Sequence, residues 1–367
     1  MRSVVVNMWW QLIGILGLVL NLFTCRTEDT KDQKRRERGA MAEQEPEQET
    51  GLNESELEPS DVQAEVGKVS PVTKCFSPKK VIAFYYGWYA PPQFGGWKGP
   101  EVSHGDRPSY GFYDSLDESK IEHDIKTAKQ AGIDGFAVAW IGAHAQDAAK
   151  DKPNQVMKTI ARLGLKHQFC VAALFETEII QREFRLDVPT QLAELAKIAK
   201  SMPANFMQVA GKPLVFIWKN ELVQPATWRA AMQQHQLYLV GDGGPRAEAL
   251  QAYRAGAYAN VYYYSTWWDG SGAAQQKAWQ AVQNGTTFVT VSNGFRDPFS
   301  TLRYGRWRDG STRVYESQWQ MALQSKPSYV VITSYNEWPE GHYIEASEKF
   351  GTKYLELTQG FVRQYQQ

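Results

Sequence analysis

The chain has 367 residues, 40 basic and 40 acidic side chains and 43% hydrophobic residues, enough to bury a full core in one large domain or two ordinary ones. Balanced charge, with no Lys/Arg cluster interleaved with aromatics in the folded part, argues against nucleic acid as a partner. Aromatics reach 13%, with 13 Trp and 18 Tyr, which suits sugar rings and equally a large barrel core.

Residues 1–25, "MRSVVVNMWWQLIGILGLVLNLFTC", place one Arg before an apolar stretch that ends in Cys. That is the form of a secretory signal, a lipoprotein signal or a membrane anchor. "LFTC" resembles a lipobox, in which Cys25 would be lipidated, with Thr24 where that pattern prefers Gly, Ala or Ser. "RTEDTKDQKRRERG" puts basic residues just after the apolar stretch, against a type II anchor under the positive-inside bias. The expected location is exported, in the cell envelope or at a membrane held through this segment, with the remainder outside the cytoplasm.

Residues 26–78 are rich in Glu, Gln, Lys, Ser and Pro, without an apolar period, and read as a disordered charged linker. Three cysteines, Cys25, Cys75 and Cys170, are too few for a disulfide framework, and Cys170 within an apolar run reads as a small buried hydrophobe. Six scattered histidines without CxxC or HExxH give no readable metal site, and no cofactor is expected.

From residue 79 to 367 the texture changes to apolar runs alternating with amphipathic patterns. The runs are "VIAFYYGWY" (81–89), "GFAVAWIG" (135–142), "FCVAALFE" (169–176), "PLVFIWK" (213–219), "LYLVGDG" (237–243), "NVYYYST" (260–266), "TFVTVSN" (287–293) and "YVVITSYNE" (329–337). Between them lie helical patterns such as "SKIEHDIKTAKQAG", "TQLAELAKIAKSM", "QQKAWQAVQNG" and "RVYESQWQMALQS". Near-continuous apolar strands separated by helices predict a parallel sheet covered on its faces, and eight such units predict a (β/α)8 TIM barrel. An open doubly wound sheet is the rival, but the Gly-rich phosphate turn often found after its first strand is absent.

In a barrel of this kind, function lies at the C-terminal strand ends. Those ends hold Tyr86, Trp88, Tyr89, Trp140, Glu176, Glu178, Trp218, Asp242, Tyr262, Tyr264, Trp267, Trp268, Asn293, Asn336, Glu337 and Glu340. Glycoside cleavage needs one carboxyl to protonate the leaving oxygen and a second near the anomeric carbon. Glu337 and Glu340 lie three residues apart, at most about 10 Å when extended, so both can reach one sugar. His104, in the long first loop, is the histidine best placed for a site, and Glu345 is expected to charge the start of the last helix.

"ITSYNEWPEG" followed by "IE" resembles the signature of glycoside hydrolase family 99, the endo-α-mannosidase and endo-α-1,2-mannanase family. "FYYGWYAPP", "GFYDSLDESKIEHDIKTAKQAGIDGFAVAW", "VYYYST" and "GRWRDGSTRVYESQWQMALQSKP" extend the likeness in order over most of residues 80–350. The resemblance implies a (β/α)8 barrel that cleaves an internal α-mannosidic bond with retention, through a 1,2-anhydro sugar. Glu337 would be the base on the 2-hydroxyl and Glu340 the acid and then base, its pKa raised by burial against Trp338. Tyr86, Trp140, Glu176 and Tyr264 would shape the subsite of the reacting sugar, with Trp88, Trp218 and Asn336 as further substrate-binding residues. The partner implied is an α-mannoside-containing oligosaccharide or polysaccharide. Pro339 stands where the family usually has His, and His342–Tyr343 where Thr-Gln is common. The alternatives are a non-catalytic glycan-binding barrel and a polysaccharide-processing factor acting on another α-linked sugar.

Overall fold

The computed structural model describes residues 73–90, 97, 106–144, 146–243, 247–264, 286–295 and 312–367, all within one compact unit, Ser70–Gln367. Residues 1–72, with the leader, most of the linker and Cys25, lie outside the described residues, as do His104, Trp267, Trp268 and the helix expected over 275–285. Among the described residues, no helix is long and apolar enough to cross a membrane.

Eight strands run parallel: β1 (Lys80–Tyr85), β2 (Gly135–Trp140), β3 (Cys170–Glu176), β4 (Lys212–Trp218), β5 (Tyr238–Asp242), β6 (Asn260–Tyr262), β7 (Phe288–Ser292) and β8 (Tyr329–Thr333). They pair in the order β6-β5-β4-β3-β2-β1-β8-β7, a nearly closed barrel. Helices α1 (Glu118–Gln130), α2 (Lys152–His167), α3 (Val188–Ser201), α4 (Pro225–His235), α5 (Ala247–Arg254), α6 (Arg313–Ser325) and α7 (Lys353–Gln366) fall between and after the strands. The fold is the (β/α)8 barrel that the pattern predicts.

Local chemistry sets the element ends. The Asp117 carboxylate caps α1 by accepting from the Ser119 and Lys120 amides, and Asp187 caps α3 through the Thr190 amide. Gly132 turns the chain out of α1 at φ +85°, and a Cβ there would come within 2.7 Å of Val362 on α7. Only glycine meets both demands.

Alternation along the strands separates two apolar layers. Ile82 and Phe84, Ala137 and Ala139, Ala172 and Leu174, and Leu214 and Phe216 fill the barrel interior with Tyr262 and Phe288. Small residues on β2 and β3 leave room for Phe84, Phe216 and Tyr262, whose ring centroids lie 5.2–5.7 Å apart in edge-on contacts. Intervening residues such as Val81, Phe136, Val171 and Val215 pack against the helices.

Two expectations are corrected here. The eighth run is not one strand to residue 337: β8 stops at Thr333, and Asn336–Glu337 pairs antiparallel with His342–Tyr343. The Ser334 amide donates to the His342 carbonyl and the Tyr335 amide to the Phe84 carbonyl, which turns the chain into a hairpin while holding it on β1. Cys170 is buried as expected, but it is not an unpaired small hydrophobe. It is joined to Cys75, which is buried within a 3-10 turn at Thr73–Phe76, inside the span that composition assigns to the linker. Two cysteines far apart in sequence carry no local mark of pairing.

This bond closes a loop 95 residues long in sequence separation. Cys75→Ala should lower the unfolding free energy of residues 70–367 by about 2–4 kcal/mol. Denaturant unfolding of the oxidised parent and the variant measures the loss, and equal stabilities would contradict the pairing.

Candidate active site

The C-terminal hairpin carries the carboxylate pair. The Glu337 amide donates to Ser334 Oγ at 2.8 Å, and its side chain lies buried at the barrel rim. Three residues on, past Pro339, the Glu340 side chain remains 39% exposed, and its Oε2 lies 2.7 Å from His342 Nε2. The expected packing of Glu340 on Trp338 is corrected. Trp338 stacks on Tyr343 at 3.6 Å between centroids and donates its indole N–H to Glu345 Oε2 at 2.8 Å.

The strand ends gather an aromatic rim around these groups. Tyr86 and Tyr264, just past β1 and β6, share a hydroxyl–hydroxyl hydrogen bond of 2.7 Å. Trp88 packs on Tyr86 with centroids 4.7 Å apart, and Trp218 on Tyr264 at 4.4 Å. Burial is the main reason the Tyr86 and Tyr264 phenols are pushed well above their ordinary range, and Glu337 and Glu176 add to it in both. Glu340 contributes at Tyr264 as well, so the three carboxyls and two phenols form one electrostatic cluster.

Glu176 ends β3 on the interior face, in step with Ala172 and Leu174. Burial, then the negative charges of Glu340, Glu178 and Glu183, hold its carboxyl well above the usual carboxylate range. Glu178 turns aside to pair with Arg182 at 3.0 Å.

Not every predicted residue joins this cluster. Trp140 shares the helix-facing side of β2 with Phe136 and Val138, is fully buried, and stacks on Phe175 at 5.7 Å. Period-two alternation turns it away from the interior. Asn336 is spent on the backbone: its side-chain carbonyl accepts from the Tyr86 amide at 2.7 Å, and its amide donates to the Tyr86 carbonyl at 3.0 Å. Asp242 accepts from the Tyr264 amide at 3.1 Å, and Asn293 donates to the Tyr343 carbonyl, so both brace the rim. Tyr89 accepts from the Trp338 amide and donates to the Asn336 carbonyl, tying the first strand end to the hairpin.

Glu345 is also corrected, since it does not charge a helix start. α7 begins eight residues later, at Lys353, and Glu345 is buried with Lys120 Nζ at 2.9 Å, Trp338 Nε1 and the Tyr113 hydroxyl. Lys120 pairs in turn with Asp124, which accepts from the Tyr85 and Tyr335 hydroxyls. No group of three or more His, Cys, Asp or Glu able to hold a metal is found among the described residues.

A paired carboxylate hairpin on the C-terminal rim of a (β/α)8 barrel fits the comparisons with known proteins. The sequence model of glycosyl hydrolase family 71 matches residues 111–363. The chain belongs to glycosyl hydrolase family 71. This family 71 hydrolase is 25% identical over 320 residues to the glycoprotein endo-α-1,2-mannosidase of Rattus norvegicus, covering 72% of this chain and 67% of that one. It superposes on the GH99 endo-α-mannosidase of Bacteroides thetaiotaomicron with a TM-score of 0.62 at 21% identity, over 79% of this chain and 98% of the other. A second structure of that enzyme, with bis-tris propane, gives 0.61 and 22%. The solved structures establish the shared fold. They accord with the family 99 resemblance stated on the sequence, while the matching sequence model is that of family 71.

Sequence reasoning missed four supports of the hydrolase's hairpin, Ser334, Lys120, Asp124 and Tyr113, and the contact of His342 with Glu340. A signal existed for two of the four. Lys120 and Asp124 fall on the same helix face as Ile121, Ile125 and Ala128, a charged pair within an apolar stripe.

Glu176 predicts a pH dependence. Its folded carboxyl holds its proton above the range in which the unfolded one, near 4.3, releases it, so the folded state binds more protons and stability falls as pH rises. Glu176→Gln removes that loss. The melting temperature of Glu176→Gln minus that of the parent should increase from pH 4 to pH 7, and a constant difference would contradict the assigned environment.

Proposed function

We propose that this hydrolase cleaves an internal α-mannosidic bond of an oligosaccharide or polysaccharide, with retention of configuration through the substrate's own 2-hydroxyl. The observation that carries the reading is the Glu337/Glu340 pair on one rim hairpin, one carboxyl buried and the other 39% exposed. Support comes also from the relatives, which are endo-α-mannosidases.

In this reading, the Glu337 carboxylate takes the proton of the 2-hydroxyl while O2 attacks C1. The C1–O glycosidic bond breaks, and the leaving oxygen takes a proton from Glu340. Water then adds to C1 of the 1,2-anhydro sugar, giving its proton to the Glu340 carboxylate. The C1–O2 bond opens and O2 recovers its proton from Glu337. Two inversions at C1 give retention, and no covalent bond to the protein forms. Tyr86, Tyr264 and Trp218 supply hydroxyl and ring contacts for the sugar bound there.

Export is part of the same proposal. The Cys75–Cys170 disulfide suits an oxidising compartment, and residues 1–25 have the form of a signal, a Cys25 lipoprotein leader or an anchor.

Residues 70–367 should release a disaccharide from glucosyl- or mannosyl-α-1,3-mannosyl-α-1,2-mannose glycans, or hydrolyse α-mannan. The first-formed anomer should be α by proton NMR, and Glu337→Gln and Glu340→Gln should each lower kcat/KM by about 10²–10⁴-fold. Binding of those glycans without turnover, unchanged by either substitution, would instead identify a glycan-binding barrel.

A further inference from the structure

A carboxylate that must act on one chosen hydroxyl has to be aimed, and at Glu337 the aim is set by a phenol from another part of the chain. Tyr89 lies in the first loop, past the end of β1, and donates its hydroxyl hydrogen to the Asn336 carbonyl at 2.7 Å. The same oxygen accepts from the Trp338 amide at 3.1 Å. Asn336 and Trp338 are the residues on either side of Glu337.

The two bonded groups belong to different peptide planes. The Asn336 carbonyl and the Glu337 amide share the plane before the Glu337 Cα, and the Trp338 amide lies in the plane after it. Tyr89 grips one group in each plane. The far edge of the first plane is held by Ser334 Oγ, which accepts from the Glu337 amide at 2.8 Å. The Trp338 amide also reaches the Asn336 carbonyl at 3.0 Å, closing a γ-turn centred on Glu337 that the phenol bridges. A residue has only two soft backbone dihedrals, so fixing both planes fixes φ and ψ at Glu337, and with them the direction of its Cβ.

The phenol is itself immobilised. Its ring stacks on Trp97 with centroids 4.4 Å apart and meets Tyr113 edge-on at 5.7 Å. Its amide donates to Ser115 Oγ at 3.0 Å, and its carbonyl accepts from the Ser115 amide and from Lys152 Nζ, both at 3.0 Å. Trp97 in turn donates its indole N–H to the Tyr113 carbonyl at 2.8 Å. Glu340 is held differently: it lies past Pro339, and its Oε2 meets His342 Nε2.

We propose that Tyr89 is a positioning residue for Glu337: its hydroxyl clips the backbone on both sides of the base and so aims the carboxylate at the 2-hydroxyl of the substrate. This rests on the base role of Glu337 proposed above. The phenol exchanges no proton, and the hydrogen it gives to Asn336 stays there throughout the reaction. Glu337 acts while O2 attacks C1, so the effect of Tyr89 belongs to that attack and not to protonation of the leaving oxygen.

Tyr89→Phe keeps the stack on Trp97 and deletes both hydrogen bonds of the hydroxyl, while the Asn336 carbonyl and Trp338 amide retain each other, so the variant should fold. Two substrates separate the carboxylates: the glycan, whose leaving oxygen needs a proton from Glu340, and the α-fluoride of the disaccharide it releases, whose fluoride departs without one. On both, kcat and kcat/KM should fall together by about 10-fold or more, with KM little changed. A loss on the glycan that disappears on the fluoride would place the effect at Glu340 and overturn the proposal, as would parent-like kinetics or a change in KM alone. If Tyr89→Phe does not fold, Ser115→Ala takes its place. It unties the Tyr89 amide, leaves the hydroxyl, and should show the same loss on both substrates in smaller measure, with the same outcomes overturning the proposal. Glu337→Gln run alongside separates the two failures. If that variant keeps kcat/KM on the fluoride, the base role of Glu337 falls and the role of Tyr89 with it. If it is inactive while Tyr89→Phe matches the parent, only the role of Tyr89 falls.

Discussion

A single buried ammonium holds the working end of this barrel together. Lys120 has no solvent exposure, and burying a charge costs several kcal/mol unless partners compensate. Burial works against its charged form, but Asp124 and Glu345 outweigh it, and the ammonium is held above its ordinary range. Burial also pushes both carboxyls up, as expected for two acids sharing one cation. The leftover hydrogen-bonding capacity is taken by Tyr85, Tyr335, Tyr113 and Trp338, so α1, β1, the first loop and the hairpin meet at one point. Removing Lys120 would leave uncompensated charge behind the site.

The consequence for function is positional. Trp338 lies between Glu337 and Glu340 in sequence, and its indole is fastened inward to Glu345 and against Tyr343. With that side chain fixed, Glu337 and Glu340 are presented to the rim on either side of it. Asn336 and Tyr89 lock the same turn to the end of β1, where Tyr86 begins the aromatic rim. The carboxylates are thus supported from below by charge and from the side by backbone hydrogen bonds.

Much of this was legible in the sequence, for physical reasons. Parallel strands buried on both faces must be nearly continuous apolar runs, so their number and order could be read directly, and the strand-end rule led to Glu337, Glu340, Tyr86, Glu176, Trp218 and Tyr264. A two-residue periodicity was needed to sort these further. It keeps Glu176 in phase with the interior residues of β3 and turns Trp140 to the helices, but the phase is set by register, which a uniformly apolar run does not reveal. Glu345 reads as an acid at the start of the last helix because its counter-charge lies 225 residues away on α1, and Cys170 as a small buried hydrophobe because its partner lies 95 residues away. His342 was visible as a departure from the family motif, yet its contact with Glu340 depends on a hairpin that the run "YVVITSYNE" disguises as one strand.

The central claim is that the inward fastening of Trp338 sets the geometry of the Glu337/Glu340 pair on which the proposed hydrolysis depends. Trp338→Phe keeps the ring and its stacking on Tyr343 but deletes the hydrogen bond to Glu345. Steady-state hydrolysis of an α-1,2-mannoside well below the melting temperature should show a clear loss in kcat, about 10-fold or more, with KM close to that of the parent. A lowered melting temperature with kcat unchanged would mean that the network serves stability alone and would contradict this account.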